Sequence, residues 1–435
     1  MRYSTTYMNE TWSPLSKLRF MLLIEHMHMK AMTNFDLVKI EPKDYLEFSR
    51  KIELLTSNED ELIKFTERIA VEEQKIHHDT LAFVTVLRDY LGSKSDILVH
   101  RGLTSSDIVD TALMMQTRDA FYAIDKSLIA LSEILLNKAR QYKDQLILGR
   151  THGADAEPES LGLKFLYWNK LIGGLSNAVR GHQYFCKMSG ALGNYSNIDQ
   201  RVEGFVASKL QMTPHGLATQ VIPKQIFATY IFSLSLIMST LEQISTDIRL
   251  KIRAKEFQEG FSPTQKGSSC MPHKVNPISF EQICGLARII RGSLVTSMEN
   301  IILWEERDIS NSCVERLIFP EAFKITHYSI MLISSLIQNM KVNTSFIDMN
   351  IEYTHNQYKS QDLMWEMIDR STTPELAYSM CQEWKEQSDK YGTDFLEIAK
   401  GELVGIISDR KIKKLNSDLK YLDKVQNIFK SEGVN

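Results

Sequence analysis

The stretch from Gln265 to Glu281 reads Gln-Lys-Gly-Ser-Ser-Cys-Met-Pro-His-Lys-Val-Asn-Pro-Ile-Ser-Phe-Glu. It gathers serine hydroxyls, an imidazole, an ammonium, a carboxamide and a carboxylate. Those groups move protons and stabilise anions. Gly267 makes the backbone permissive, while Pro272 and Pro277 fix φ and disfavour helix at Met271 and Asn276. The segment is therefore expected to be a loop, with a helix restarting after Pro277. Composition alone leaves a polar surface linker open, because Ser, Gly and Pro are ordinary loop residues.

Four further clusters carry polar chemistry. His100-Arg101-Gly102-Leu103-Thr104-Ser105-Ser106-Asp107 sets hydroxyls and an acid before a long amphipathic segment. Ser106 or Asp107 reads as a helix N-cap, and the same helix N-terminus reads as a carboxylate site. Gly149-Arg150-Thr151-His152-Gly153-Ala154-Asp155 holds a loop histidine, either a satisfied surface residue or one that reaches a substrate. In Leu303 to Arg316, the acids around Arg307 and Arg316 fit structural ion pairs, and the planar guanidinium groups fit a phosphate. Arg2-Tyr3-Ser4 is weak alone, and His77-His78 point to different sides of a helix, which disfavours a metal site.

Long helices must position these clusters. Only ten prolines occur, and the gaps between them are rich in Leu, Ile, Met, Glu, Lys and Gln. Phe121, Ile124, Leu128, Leu131 and Leu135 recur at spacings of three and four, as do Ile231, Leu234, Ile237, Leu241, Ile244 and Ile248. Each series makes one apolar stripe, suited to a bundle. No period-two run or Asn-Gly turn calls for a substantial sheet, so the expected class is all-α. Breaks near Gly92-Ser93-Lys94-Ser95 and Val342-Asn343-Thr344 divide the chain into helical domains at 1–93, 94–342 and 343–435.

The 435 residues are 43% apolar and 24% charged, a soluble globular mix. A net charge of -3 gives no footprint for nucleic acid or an anionic membrane, and a small anionic ligand fits better. The N-terminus has no signal-peptide core, and no uninterrupted apolar run approaches the roughly 20 residues of a membrane span, so a cytoplasmic protein is expected. Five widely spaced cysteines without a CxxC pair suggest neither a disulfide framework nor a thiolate metal site.

Gly267 to Asn276 resembles the G-S-S-x-M-P-x-K-x-N loop of the fumarase/aspartase superfamily, whose members eliminate fumarate from succinyl compounds. Within it the chain resembles the adenylosuccinate lyase family. The match is carried by Arg2-Tyr3-Ser4, His78-Asp79, Gly102 to Asp107, Gly149 to Gly153, Gly190-Ala191-Leu192-Gly193-Asn194-Tyr195, Thr219-Gln220, the Gln265 to Asn276 loop and Trp304 to Arg316, in family order. The resemblance implies a helical homotetramer whose active sites are built from loops of three subunits. It implies cleavage of succinylated purine nucleotides without metal or organic cofactor.

Residue by residue, the resemblance makes Ser268 the base, His152 the general acid and Glu281 the carboxylate that orients it. Lys274 and Asn276 would stabilise the developing dianionic carboxylate, with Thr104, Ser105 and Thr151 holding the succinyl carboxylates. His78, Asp79, His100, Ser269 and Met271 would line the pocket, and Gln220 would contact the succinyl portion. Arg2, Tyr3, Arg307, Ser312 and Arg316 fall on the nucleotide and phosphate side. Several positions depart from the family: Lys224-Gln225-Ile226-Phe227 stands for R-D-R-H, Asp155 for a histidine, Glu305 and Asn311 for histidines, and Asp362 for a cation. These leave two alternatives open, a lyase for another N-succinyl compound and a non-catalytic relative.

Overall fold

A computed structural model describes residues 2–260, 271, 273–403 and 407–434 of the chain. It is mostly helical, with five helices of twenty residues or more from Ser105 onward: Ser105–Gln141, Leu161–Arg180, Lys224–Arg253, Ile278–Glu299 and Ser310–Asn339. Both predicted stripes are sealed from solvent; Phe121 through Leu135 and Ile231 through Ile248 are each at most 1% exposed. The Lys224–Arg253 helix is long and apolar enough to cross a membrane by length and composition. Its buried stripe gives it the character of a core helix.

Two compact units partition the chain. The first comprises residues 1–128, 174–241 and 283–331; the second comprises residues 129–173, 242–282 and 332–435. In the first, Trp12, Phe121, Phe227, Phe319 and Phe323 pack edge-on or tilted at centroid distances between 4.8 and 6.3 Å. The Ser310–Asn339 helix continues through Pro320, although a proline removes one ladder hydrogen bond. In the second, Leu363, Met367, Trp384, Phe395 and Ala399 form a separate small core among the C-terminal helices. Thr373 caps the Pro374–Tyr391 helix there by accepting the Leu376 N–H, with Pro374 at the first helical position.

Among the described residues, three two-stranded ladders accompany the expected helices. Leu146–Thr151 pairs antiparallel with Ala154–Ser160, Phe185–Cys186 parallel with Thr213–Pro214, and Phe257–Gln258 antiparallel with Lys341–Val342. The first is the one that matters for chemistry. Its two-residue connection, His152-Gly153, has φ of +55° and +82°, the pattern of a type I′ hairpin turn.

Candidate active site

In the first unit a cavity of about 310 Å³ collects six of the expected residues: His78, Asp79, Ser105, Arg307, Ser312 and Arg316. His78, Asp79 and Ser105 stand at helix N-termini, Ser312 and Arg316 in the first two turns of a helix, and Arg307 in the segment before it. His77, at φ +53°, closes the Glu59–Ile76 helix, and His78 caps the Asp79–Leu91 helix by accepting the Leu81 N–H at its Nδ1 over 3.1 Å. Asp308 accepts the Ser310 and Trp304 N–H groups at 2.7 and 2.8 Å and so starts the helix on which Ser312 and Arg316 sit one turn apart.

Ser105 opens the 105–141 helix. The Asp107 carboxylate reaches back to the Thr104 N–H at 2.8 Å, the acid half of a capping box. Asp107 does more than cap. It is fully buried, accepts from Lys187 Nζ at 2.6 Å, and takes the Ser189 and Gly190 amides at 3.2 Å each. Burial pushes its carboxyl above the usual range, and Lys187 only partly offsets that. One side chain thus ties the Gly102 to Asp107 loop to the Gly190 to Tyr195 loop.

The cations of the cavity are partnered unevenly. Arg316 donates to Asp79 at 2.5 Å. Burial raises the Asp79 carboxyl, but the Thr80 amide and the Arg316 and Lys17 charges outweigh it and hold it below the ordinary value. Arg307 donates through Nη1 to Gln220 Oε1 at 2.9 Å, which brings Gln220 to the set, while its Nε is buried without a hydrogen-bond partner among the described residues. Lys17 is depressed by burial and by the neighbouring Arg316 charge.

Asp110 and Glu315 also line the cavity, and the sequence reading missed them. Lys224, buried between them, lies 3.3 Å from Asp110 and 2.9 Å from Glu315. Burial pushes the Glu315 carboxyl up despite Lys224. The position noted as a family departure therefore still supplies a cation. Its neighbour Phe227 is core: the Lys224 ammonium stands 4.6 Å above that ring. A signal existed in Asp107 and Asp110, three apart on one helix face, but nothing local points to their lysine partners 80 and 114 residues away.

Other expected residues lie outside this lining. His100 is held by Glu25, its ring Nδ1 2.8 Å and its backbone N 3.0 Å from the two carboxylate oxygens. Tyr3 packs edge-on against Tyr328 at 5.8 Å, with the Arg2 guanidinium over its ring. In the second unit, Thr151 and His152 are exposed at the hairpin tip. Beneath them Arg150 pairs with Asp155 and with the buried Glu256, each at 2.9 Å, so the Asp155 departure has a structural partner.

Met271, Lys274, Asn276 and Glu281 lead into and begin the Ile278–Glu299 helix, with Met271 and Lys274 exposed, Asn276 half-buried and Glu281 3.9 Å from Arg249. Ser268 and Ser269 lie outside the described residues. Asp362, another departure, pairs with Lys420. Among the described residues no group of three His, Cys, Asp or Glu side chains is placed to hold a metal ion.

The family model described as "Lyase" matches residues 10–292. The adenylosuccinate lyase of Thermotoga maritima is 34% identical over 439 residues, covering 98% of both chains; that of Streptococcus mutans is 34% identical over 100% of this chain and 99% of its own, and that of Bacillus subtilis 33% over the same shares. Among solved structures, a fumarate lyase from Mesorhizobium superposes with a TM-score of 0.86 at 19% identity over 98% of this chain and 97% of its own. A β-carboxy-cis,cis-muconate cycloisomerase from Acinetobacter calcoaceticus superposes at 0.84 and 18% over 99% and 97%. At such identities these two carry the fold alone. End-to-end likeness to the bacterial enzymes carries more: the chain belongs to the adenylosuccinate lyase family.

Proposed function

We propose that this lyase eliminates fumarate from adenylosuccinate, giving AMP, and from succinyl-aminoimidazole carboxamide ribotide, giving the free carboxamide ribotide, as steps of purine biosynthesis. The observation that carries the reading is the cavity lined by two guanidinium groups, three serine hydroxyls and two histidines, in a chain aligned end to end with adenylosuccinate lyases.

Elimination breaks a C–H and a C–N bond and forms the C=C of fumarate. Ser268 takes the proton from the carbon next to a succinyl carboxylate, whose growing negative charge is met by Lys274 and Asn276. A serine hydroxyl is a poor base until cationic neighbours and exclusion of water activate it. His152, oriented by Glu281, returns a proton to the departing nitrogen. Thr104, Ser105 and Thr151 hold the succinyl carboxylates, His78, His100 and Gln220 the substrate beside them, and Arg2, Tyr3, Arg307, Ser312 and Arg316 the nucleotide phosphate.

The enzyme works as a cytoplasmic homotetramer, organised as helical domains at 1–93, 94–342 and 343–435, and uses neither metal nor organic cofactor. An ultraviolet assay of the purified protein with adenylosuccinate, with fumarate identified in the products, tests the reading. Formation of AMP and fumarate is expected. A folded protein that leaves adenylosuccinate intact and releases fumarate from another N-succinyl amine would overturn the substrate assignment.

A further inference from the structure

We propose that Glu25 is a positioning residue of the lyase reaction and acts through His100. Glu25 sits on the Pro14–Asn34 helix beside the apolar run Met21-Leu22-Leu23-Ile24 and is completely buried. A carboxylate at such a place is costly unless every oxygen is used. Both oxygens are spent on one residue 75 positions away: Oε1 lies 2.8 Å from His100 Nδ1 and Oε2 accepts the His100 backbone N–H at 3.0 Å. The two bonds fix the imidazole and its peptide together, and they hold His100 at φ +59°, a left-handed conformation that a non-glycine residue adopts at a cost.

The chemistry follows from the acceptor-only character of a carboxylate. Burial raises the Glu25 carboxyl, yet the His100 hydrogen bonds and the neighbouring imidazoles outweigh it and keep it below its ordinary value. The ring proton must then sit on Nδ1. His28, the other imidazole beside Glu25, is pushed down to about 4 by burial and stays neutral, so it does not compete as a cation. In His100, Nε2 has no hydrogen-bond partner among the described residues, and the side chain keeps 16% of its surface open. One nitrogen is anchored and the other is presented.

The loop carrying this ring leads directly to Thr104 and Ser105. It has no slack, since a Cβ on Gly102 would meet the Asn197 carbonyl oxygen at 2.3 Å. Glu25 thus sets both the tautomer and the aim of His100 next to the hydroxyls assigned to the succinyl carboxylates. The inference rests on the lyase reading above for its kinetic part only.

The test is a double-mutant cycle with Glu25→Gln and His100→Asn, in the full-length protein with adenylosuccinate as probe. Asparagine tolerates positive φ and its amide can still donate to Glu25, so the buried carboxylate keeps a partner. Glu25→Gln is expected to lower kcat/KM about 10–100-fold, the range over which carboxylate partners tune the histidines they orient. In the His100→Asn background it should have no further effect. Equal losses with and without His100 would mean a merely structural role and overturn the proposal.

A second readout is independent of turnover. In protein labelled with nitrogen-15 at histidine, the ring signal that vanishes in His100→Asn should show Nδ1 protonated in the neutral ring, and Glu25→Gln should shift that proton toward Nε2. A parent ring protonated on Nε2 sinks the proposal even if the enzyme is active. An inactive parent with the Nδ1 tautomer sinks the substrate assignment and leaves the positioning role standing.

Discussion

At the scale of single residues, His152 holds the first of two left-handed positions in a tight turn, exposed and without support from the core. Strain of that kind at a side chain with acid–base chemistry points from conformation to use. Asparagine fits the same φ, so His152→Asn should keep or slightly raise the melting temperature while lowering kcat at least 100-fold, the scale of a lost general acid. Full activity in that variant would remove His152 from its assigned role. His28 makes a different prediction, about stability. Burial pushes its imidazole down to about 4, with Glu25 only partly opposing, so between about pH 6.5 and 4 the unfolded chain binds a proton that the folded one refuses. The stability His28 permits is complete above pH 6.5, and it falls by about 3 kcal/mol as the pH drops to 4. His26, His182, His215 and His327 are lowered by burial as well and act in the same direction. Melting curves across that range should show a shallower acid-side decline in His28→Gln than in the parent; parallel declines would contradict the assignment. Neither Glu25 nor Lys224 was recognisable from its neighbours in sequence, because what makes each important is a partner 75 to 114 positions away.

At the scale of elements, the helices were readable because their stripes follow the 3.6-residue period and are buried where that period says. The hairpin was not. Its second strand carries Pro158 and four polar residues without a period-two apolar pattern, its register shifts between Leu148 and Arg150, and its turn is His-Gly rather than Asn-Gly. Gly149 sits at that irregularity, where a Cβ would meet the Glu157 carbonyl oxygen at 2.6 Å. The expected loop is therefore confined to the His152-Gly153 turn, and the motif was silent about the strands that flank it. Glycines separate two kinds of requirement here. Gly153 has positive φ but open space where a Cβ would stand, whereas a Cβ on Gly193, at φ +72°, would fall 1.9 Å from the Ala218 carbonyl oxygen. Gly153→Ala should thus cost about 1 kcal/mol of backbone strain in the folded protein. Gly193→Ala should cost on the order of 4 kcal/mol, because the backbone itself must move. Urea melts of the two variants would measure the contrast, and equal costs would contradict it.

At the scale of the whole molecule, the two units divide the candidate residues between them. His78, Asp79, Ser105, Arg307, Ser312 and Arg316 belong to the first, and Thr151, His152, Lys274, Asn276 and Glu281 to the second. The family likeness was legible because its motifs are short and local; how copies of the chain combine is a property of surfaces, which motifs do not encode. If each site draws its acid and its base from different subunits, two inactive variants can rescue each other. Ser268→Ala and His152→Ala variants, unfolded together and refolded, should then regain activity in about a quarter of sites, since random mixing places an intact serine and an intact histidine at one site with that frequency. Each variant refolded alone should stay inactive. Recovery in the mixture would establish that the two residues act across a subunit boundary. No recovery from correctly reassembled mixed oligomers would mean that acid and base come from a single chain, and the shared-site architecture would have to be abandoned for this pair.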